Sequence, residues 1–428
     1  MERALLSRRV SAAFGRHPDS PTLPQYGLVK VLFVYQARLY NMPRSKSTLP
    51  GGTRTSDLAV IGALGEHLPV ELVEGILKET GKQGSRERQL PADFMTLFVV
   101  ALALYRDVSS EEVLRCVVQG LQWAGRGPNK ISTKGGIAQA RQRLGVEPLR
   151  LLFERSCAQM AVAGTRGAWY RGWLTVAMDG TTFALADSPE NARVFGYSGV
   201  KSKGSYPILQ CVCLAETGTH AAFATALGPY GSGEKVLALQ VLPKLKPGML
   251  MLADRGFGFE IWKEALATGA DLALRISSIW TLTEVEALPD GSHLARVRLP
   301  STKEEVVVRL VRYTIDGSEE VYRLVTNILD PSKAPAAELA ALYHERWEVE
   351  SIFDELKTHL RGARMILRSR TPELVEQEFW GFMLAHRALR SLIHQAALKH
   401  QLDPDEISFT HTIRVVKRTL PRRAALSP

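Results

Sequence analysis

Apolar residues recur along the chain at two different periods, and the changes of period divide it. From about Asp57 to Gly164 they fall at helical spacing over Leu68–Leu77, Pro91–Tyr105 and Glu111–Leu121, which predicts amphipathic helices. Thr133 suits an N-cap and Gly145 a C-terminal stop, bracketing a further helix, Lys134–Leu144. Beyond residue 166 the pattern shortens. Leu174–Leu185, Pro207–Ala215, His220–Leu227, Met249–Ala253 and Asp271–Ile276 read as strands, with helices Glu234–Leu245 and Phe259–Thr268 between them. Near-continuous apolar runs such as Met249–Ala253 predict strands buried on both faces of a central sheet. Leu294–Leu299, Glu305–Ile315 and Glu320–Leu329 alternate or are β-branched, and Pro289-Asp290-Gly291 and Asp316-Gly317 supply turns. Helical character returns at Tyr343–Lys357, which lacks Gly and Pro, and at Pro372–His400.

These shifts predict five pieces. Residues 1–56 form a basic extension, Arg-, Ser- and Ala-rich up to Arg16, with Met42 as an alternative start and a boundary at Pro50-Gly51-Gly52. Residues 57–165 form a helical domain, and 166–277 with 331–400 an α/β domain. Residues 278–330 are a β-rich insertion and 401–428 a basic tail.

Two of the strand-like runs carry an aspartate followed closely by glycine: Met178-Asp179-Gly180 and Ala253-Asp254-Arg255-Gly256. An aspartate where a central strand stops pairing lies where active sites of open α/β sheets gather. On a wheel of about 100° per residue counted from Tyr343, Arg346 falls near roughly 300°, Lys357 near 320° and Glu350 near 340°. Leu342, Val349, Ile352, Leu356 and Leu360 gather on the same wheel between roughly 180° and 260°. One helix thus predicts an apolar docking stripe beside a row of one phenol, two cations and a carboxylate. A solvated charged face gives the same pattern, and Asp354, near roughly 20°, is a rival acid. Asp179, Asp254 and Glu350 brought together repel one another unless a cation intervenes, and clustered oxygen ligands suit Mg²⁺ or Mn²⁺.

Met-Asp-Gly-Thr at Asp179, Ala-Asp-Arg-Gly-Phe at Asp254 and the spacing Tyr343-x2-Arg346-x3-Glu350-x6-Lys357 resemble bacterial insertion-sequence transposases of the DDE family with a Tyr-Arg-Glu-Lys signature. The likeness runs over roughly residues 57 to 400. It implies a ribonuclease H-like mixed sheet flanked by helices, with a β-rich insertion and a helical N-terminal domain that binds transposon ends. It further implies cut-and-paste DNA transposition, with Asp179, Asp254 and Glu350 holding two Mg²⁺ (or Mn²⁺) ions and Tyr343, Arg346 and Lys357 gripping phosphates. The DNA partners are terminal inverted repeats and target DNA, bound by a homodimer on paired ends. A catalytically silent DNA-binding derivative, or a metal-dependent nuclease without strand transfer, keeps the same fold.

The charge balance supports a polyanionic partner. The chain of 428 residues carries +10. Residues 126–155 hold seven bases against two acids, so Lys134, Arg141 and Arg143 on the fourth predicted helix suit a DNA backbone. Arg361, Arg364, Arg368 and Arg370 continue from the Glu350 helix with no acid among them. Four cysteines in so long a chain form no disulfide framework, and Cys211-x-Cys213 lacks zinc spacing; a reducing cytoplasm is expected. No run reaches the length of a membrane span. Gly228-Pro-Tyr-Gly-Ser-Gly-Glu234-Lys235 fails as a nucleotide-binding loop, since Glu234 intrudes and Val236 replaces the hydroxyl. Trp280 in the insertion reads as a packed indole sooner than as a stacking platform for an extruded base.

Overall fold

A computed structural model describes residues 69–84, 89–106, 108–122, 132–199, 204–314, 320–344, 348–356 and 366–422, with residues 70, 119–122, 344, 348–350 and 417–422 described by their backbone alone. The extension 1–56 lies outside them.

The helical region opens with α1 (Val70–Glu79), α2 (Ala92–Leu104), α3 (Ser110–Gln122), α4 (Lys134–Leu144) and α5 (Glu147–Ser156). Thr133 caps α4 as its sequence predicts, its hydroxyl accepting from the Gly136 amide at 3.3 Å. Helix α2 is apolar all round, and residues 94–104 are all buried, so it needs cover on every side.

The sheet begins with the short β1 (Trp169–Tyr170) and β2 (Trp173–Ala184). Helix α6 (Pro189–Phe195) follows, then β3 (Ile208–Glu216), β4 (Ala222–Pro229), α7 (Glu234–Val241), β5 (Met249–Ala253), α8 (Trp262–Leu266) and β6 (Asp271–Arg275). Strand β2 runs antiparallel to β3 and parallel to β5, and β5 runs parallel to β6. The order β4-β3-β2-β5-β6 then continues through β10 (Tyr322–Thr326), β9 (Glu305–Tyr313), β8 (His293–Arg298) and β7 (Thr283–Ala287). The insertion is thus an antiparallel extension of the main sheet, joined where Leu324 of β10 faces Arg275 of β6. Strand β7, exposed along its whole length, buries no apolar face and leaves no alternating signature to read.

Alternation along β2 assigns the two faces. Leu174, Val176 and Met178 pack with Leu237, Ala238 and Val241 of α7. On the other face α9 (Ala336–His344) lays Leu339, Leu342 and Tyr343 on Leu250 and Leu252 of β5. Beyond it α10 (Glu348–Asp354) packs against β2. Helix α11 (Pro372–His400) crosses behind, with Phe379 edge-on to Phe183 of β2 at 5.5 Å.

Helix α11 also supplies the cover that α2 needs. A Cβ at Gly381 of α11 would stand 2.7 Å from the Val99 carbonyl oxygen, so α11 comes close to the α2 backbone where Gly381 has no side chain to interpose. Arg106 pairs with Glu378 of α11, both buried, and Phe153 of α5 meets Trp380 at 5.3 Å. Helices α2 and α5 are thus packed directly on α11. A 3-10 turn at Pro404–Glu406 leads into α12 (Phe409–Arg422), which packs on α11 and α3 through buried Phe409, Ile413 and Val416.

The α2–α11 crossing predicts that Gly381→Ala is destabilising. Alanine in a helix gains up to about 1 kcal/mol over glycine, whereas overpacking against immovable backbone costs about 1–3 kcal/mol. The clash is with a carbonyl rather than a flexible tip, so loss wins. A guanidinium unfolding midpoint at or above wild type would show that the helices part freely.

Candidate active site

Sheet register places Asp179 and Asp254. Met178 of β2 is the in-register neighbour of Ala253, the last residue of β5. The next residues, Asp179 and Asp254, therefore stand abreast on adjacent parallel strands, about 5 Å apart along the hydrogen-bonding direction. Strand β2 does not end there, because its pairing with β3 continues from Asp179↔Cys213 to Ala184↔Ile208. The aspartates mark where β5 stops and β2 goes on alone with β3. Both are half-buried. Each carboxylate accepts the next residue's amide: Asp179 Oδ1 from Gly180 at 2.8 Å and Asp254 Oδ1 from Arg255 at 2.5 Å. These bonds tie each carboxylate to its own strand end.

The two aspartates share a sheet face with α9 and α10, since Asp179 is odd-numbered along β2 while Met178 faces α7. Glu350 is on α10, which packs against β2; its side chain lies outside the described residues. Tyr343 ends up buried, and its hydroxyl donates to the Ala253 carbonyl at 3.2 Å. The phenol expected at a phosphate instead braces the residue before Asp254. Arg346, Lys357, Arg361 and Arg364 lie outside the described residues. Asp354 is exposed at the end of α10.

The basic residues of α4 part company. Lys134 is exposed, 3.8 Å from Glu111, and Arg143 is exposed. Arg141 instead donates from Nε to Gln377 Oε1 at 2.7 Å and from Nη2 to the Leu374 carbonyl at 3.0 Å. Burial, with Arg368 nearby, lowers its pKa to about 10. It ties α4 to α11, a use that its place in a basic run conceals. Trp280 is half-buried, edge-on to Phe259 at 5.1 Å, a packed indole as expected.

One acid near the pair escaped the motif reading. An ideal Cβ at Gly180 would lie 2.5 Å from Glu234 Oε1, and one at Gly256 would lie 3.9 Å from its Oε2. Glu234 thus reaches from the first position of α7 to the glycines that follow both aspartates. Its signal was in the sequence, as the glutamate that spoils the nucleotide-binding loop. Among the described residues no group of three acids, cysteines or histidines is gathered to hold a metal. The donor set still fits a hard divalent cation: two half-buried carboxylates abreast, with a third acid on the helix packed over them.

Asp179 and Asp254 thus stand on adjacent parallel strands of a mixed β4-β3-β2-β5-β6 sheet, on the face that α9 and α10 cover. The family described as "Transposase DDE domain" matches residues 174–387, and "Insertion element 4 transposase N-terminal" matches 58–154. The chain is 31% identical over 381 residues to "Transposase InsG for insertion sequence element IS4" of Escherichia coli K12, covering 86% of this chain and 84% of that protein. It is also 27% identical over 196 residues to "Putative transposase InsZ" of the same organism, covering 45% and 62%. A looser likeness, TM-score 0.47 at 13% identity over 89% of this chain and 85% of the other, is to the piggyBac transposase in a cryo-EM synaptic complex with hairpin DNA. The chain belongs to the IS4 family of DDE transposases and is a DNA transposase of an insertion sequence. Transposases of this class use divalent metal, and among the described residues no helix is long and apolar enough to cross a membrane.

Proposed function

We propose that Asp179, Asp254 and Glu350 hold two Mg²⁺ ions and that the protein cuts the ends of its element and joins them to target DNA. The observation that carries this reading is the register that sets Asp179 beside Asp254 on the face covered by α9 and α10. Bound metal supplies Lewis-acid stabilisation of the attacking and leaving oxygens in an in-line displacement at phosphorus.

The protein's own groups supply position. Gly180 and Arg255 amides fix the two carboxylates, and the Tyr343 hydroxyl braces the strand end before Asp254. Arg346, as a fork, and Lys357, as a point charge, hold phosphates of the transposon end. Lys134 and Arg143, exposed on α4, extend that grip along the duplex with Arg361 and Arg364, each neutralised phosphate releasing counterions. Arg141 is a strut between α4 and α11. Two copies on paired ends make the synapsed complex, in the bacterial cytoplasm where the element resides.

The test supplies the element's terminal repeats as short duplexes with a target plasmid and Mg²⁺. Strand breaks at the repeat termini and end-joined plasmid products are expected. Breaks without joined products would reduce the activity to a nuclease, and specific binding without breaks would leave a silent DNA-binding protein.

A further inference from the structure

A buried set of titratable side chains lies at the far end of the Glu350 helix. Helix α10 runs into a π turn at residues 355–356, a form of helix that favours functional sites. Glu355 in that turn is buried, as are His386 and Arg390 of α11 and His220 of the β3–β4 turn. Glu355 Oε2 accepts from His386 Nε2 at 2.8 Å and from Arg390 Nε at 2.9 Å. Arg390 Nη2 donates to Glu355 Oε1 and to His220 Nδ1. His220 Nε2 then faces Asp405 Oδ1 at 3.0 Å, and Phe409 of α12 closes the cluster 5.4 Å over Arg390.

Arg390 donates to His220 Nδ1, which therefore accepts there. Burial works against a charged His386 and lowers its pKa despite the neighbouring Glu355. Burial also works against a charged Glu355, but Arg390, His220 and His386 outweigh it and hold that carboxyl far below the usual range. His220 keeps a φ of 54°, a left-handed conformation that a non-glycine residue holds only when its surroundings over-determine it.

Helix α11 and the β3–β4 turn therefore converge on one carboxylate in the turn that ends α10. Ile352, Phe353 and Leu356 bury that helix's apolar side, yet apolar packing is non-directional and tolerates sliding. Directional charge-assisted bonds do not. Positions five residues apart sit about 140° apart around a helix, so a grip at 355 fixes the helix from one flank and leaves position 350 on another.

We propose that Glu355, held by Arg390, His386 and His220, is a positioning residue that sets where α10 presents Glu350 to Asp179 and Asp254. The inference rests on Glu350 being a metal ligand and extends that reading to the side chains behind it. Outer partners of metal ligands commonly change metal affinity or activity by about 10–100-fold when altered.

The test uses full-length protein with a terminal-repeat duplex. Glu355→Met combined with Arg390→Met removes both buried charges at similar volume, which spares folding where either single loss would strand a charge. Metal-free DNA affinity and thermal midpoint are expected near wild type. Mn²⁺ binding to the protein–DNA complex, followed by electron paramagnetic resonance, is expected to weaken about tenfold, and Mg²⁺-dependent cleavage to fall about a hundredfold. If the double variant does not fold, Glu355→Asp keeps the charge but shortens its reach, and is expected to weaken Mn²⁺ binding in the same direction. Wild-type Mn²⁺ binding and cleavage in either folded variant overturn the proposal and leave the cluster a stabilising one. A Glu350→Gln control separates the two readings: if that variant still cleaves, the ligand assignment itself has failed.

Discussion

Asp179→Asn should leave the protein folded and bound to its terminal repeat, yet lower Mg²⁺-dependent cleavage on the order of a thousandfold, about 4 kcal/mol of transition-state stabilisation. Asparagine keeps the shape and the Oδ1 acceptor for the Gly180 amide, so what is lost is the charge that recruits metal. Asp254→Asn and Glu350→Gln should match it, because residues acting as one unit each cost nearly the whole effect. Asp354→Asn, exposed at the end of α10, should stay within about threefold of wild type. Without metal the sign for stability reverses. Two carboxylates abreast on neighbouring strands repel, so neutralising one should hold or raise the thermal midpoint. Added Mg²⁺ should then raise the wild-type midpoint and not those of the three variants. A midpoint that responds equally to Mg²⁺ in Asp179→Asn would place the ions elsewhere, as would full cleavage in any of the three.

How much of this was legible in the sequence depends on what each residue packs against. The Met249–Ala253 strand was readable residue for residue, since a run buried on both faces leaves no polar position to blur its limits. The β2–β5 register was not readable, yet the aspartate motifs implied its result because each acid follows an apolar run of similar length. Helix α11 was visible from Pro372 to His400, where a proline opens a long apolar-periodic stretch interrupted only by Gly381. What packs on the helical region was not readable, because sequence shows that α2 is apolar and not what covers it. Its cover, α11, lies more than two hundred residues further on, and only Gly381 inside that helix hinted at a close crossing. Arg141 and Tyr343 show the same limit from the polar side. A charge or phenol beside a functional row reads as part of the row, and burial against Gln377 or the Ala253 carbonyl redirects it. Glu355 was invisible for a related reason: its partners His386 and Arg390 on α11 and His220 in the β3–β4 turn come from two segments distant from it in the chain.

Asp290→Ala should destabilise the protein by about 3 kcal/mol, and the reason is a charge left behind. Arg309 of β9 is wholly buried, its Nη2 donating to Asp290 in the β7–β8 turn. Burial works against a charged Asp290, but Ser292, the Ala336 amide and Arg309 outweigh it and hold the carboxyl below its ordinary range. A depressed folded-state pKa contributes stability that is complete above the unfolded value and is lost as pH falls through the folded one, so near neutral pH the whole contribution is at stake. Stranding a buried charge by removing its partner costs about 3–5 kcal/mol, and Asp290, with 21% of its side chain exposed, shares only part of that burial. The low end applies here, because Arg309 keeps Ser292 Oγ at 2.8 Å and the Ala334 carbonyl at 2.7 Å. The same carboxylate accepts from the Ala336 amide at 2.8 Å, where a negative charge suits the N-terminus of α9. The turn of the insertion thereby holds the helix that carries Tyr343. Combining Asp290→Ala with Arg309→Met should recover more than half of the lost stability, since the stranded cation is gone. It should not recover cleavage fully, because α9 still lacks its acceptor. Denaturant titration of the single and double variants, read beside cleavage of a terminal-repeat duplex, checks both parts. A double variant no more stable than the single one would show that the hydrogen bonds of Asp290, and not the buried charge, carry the effect.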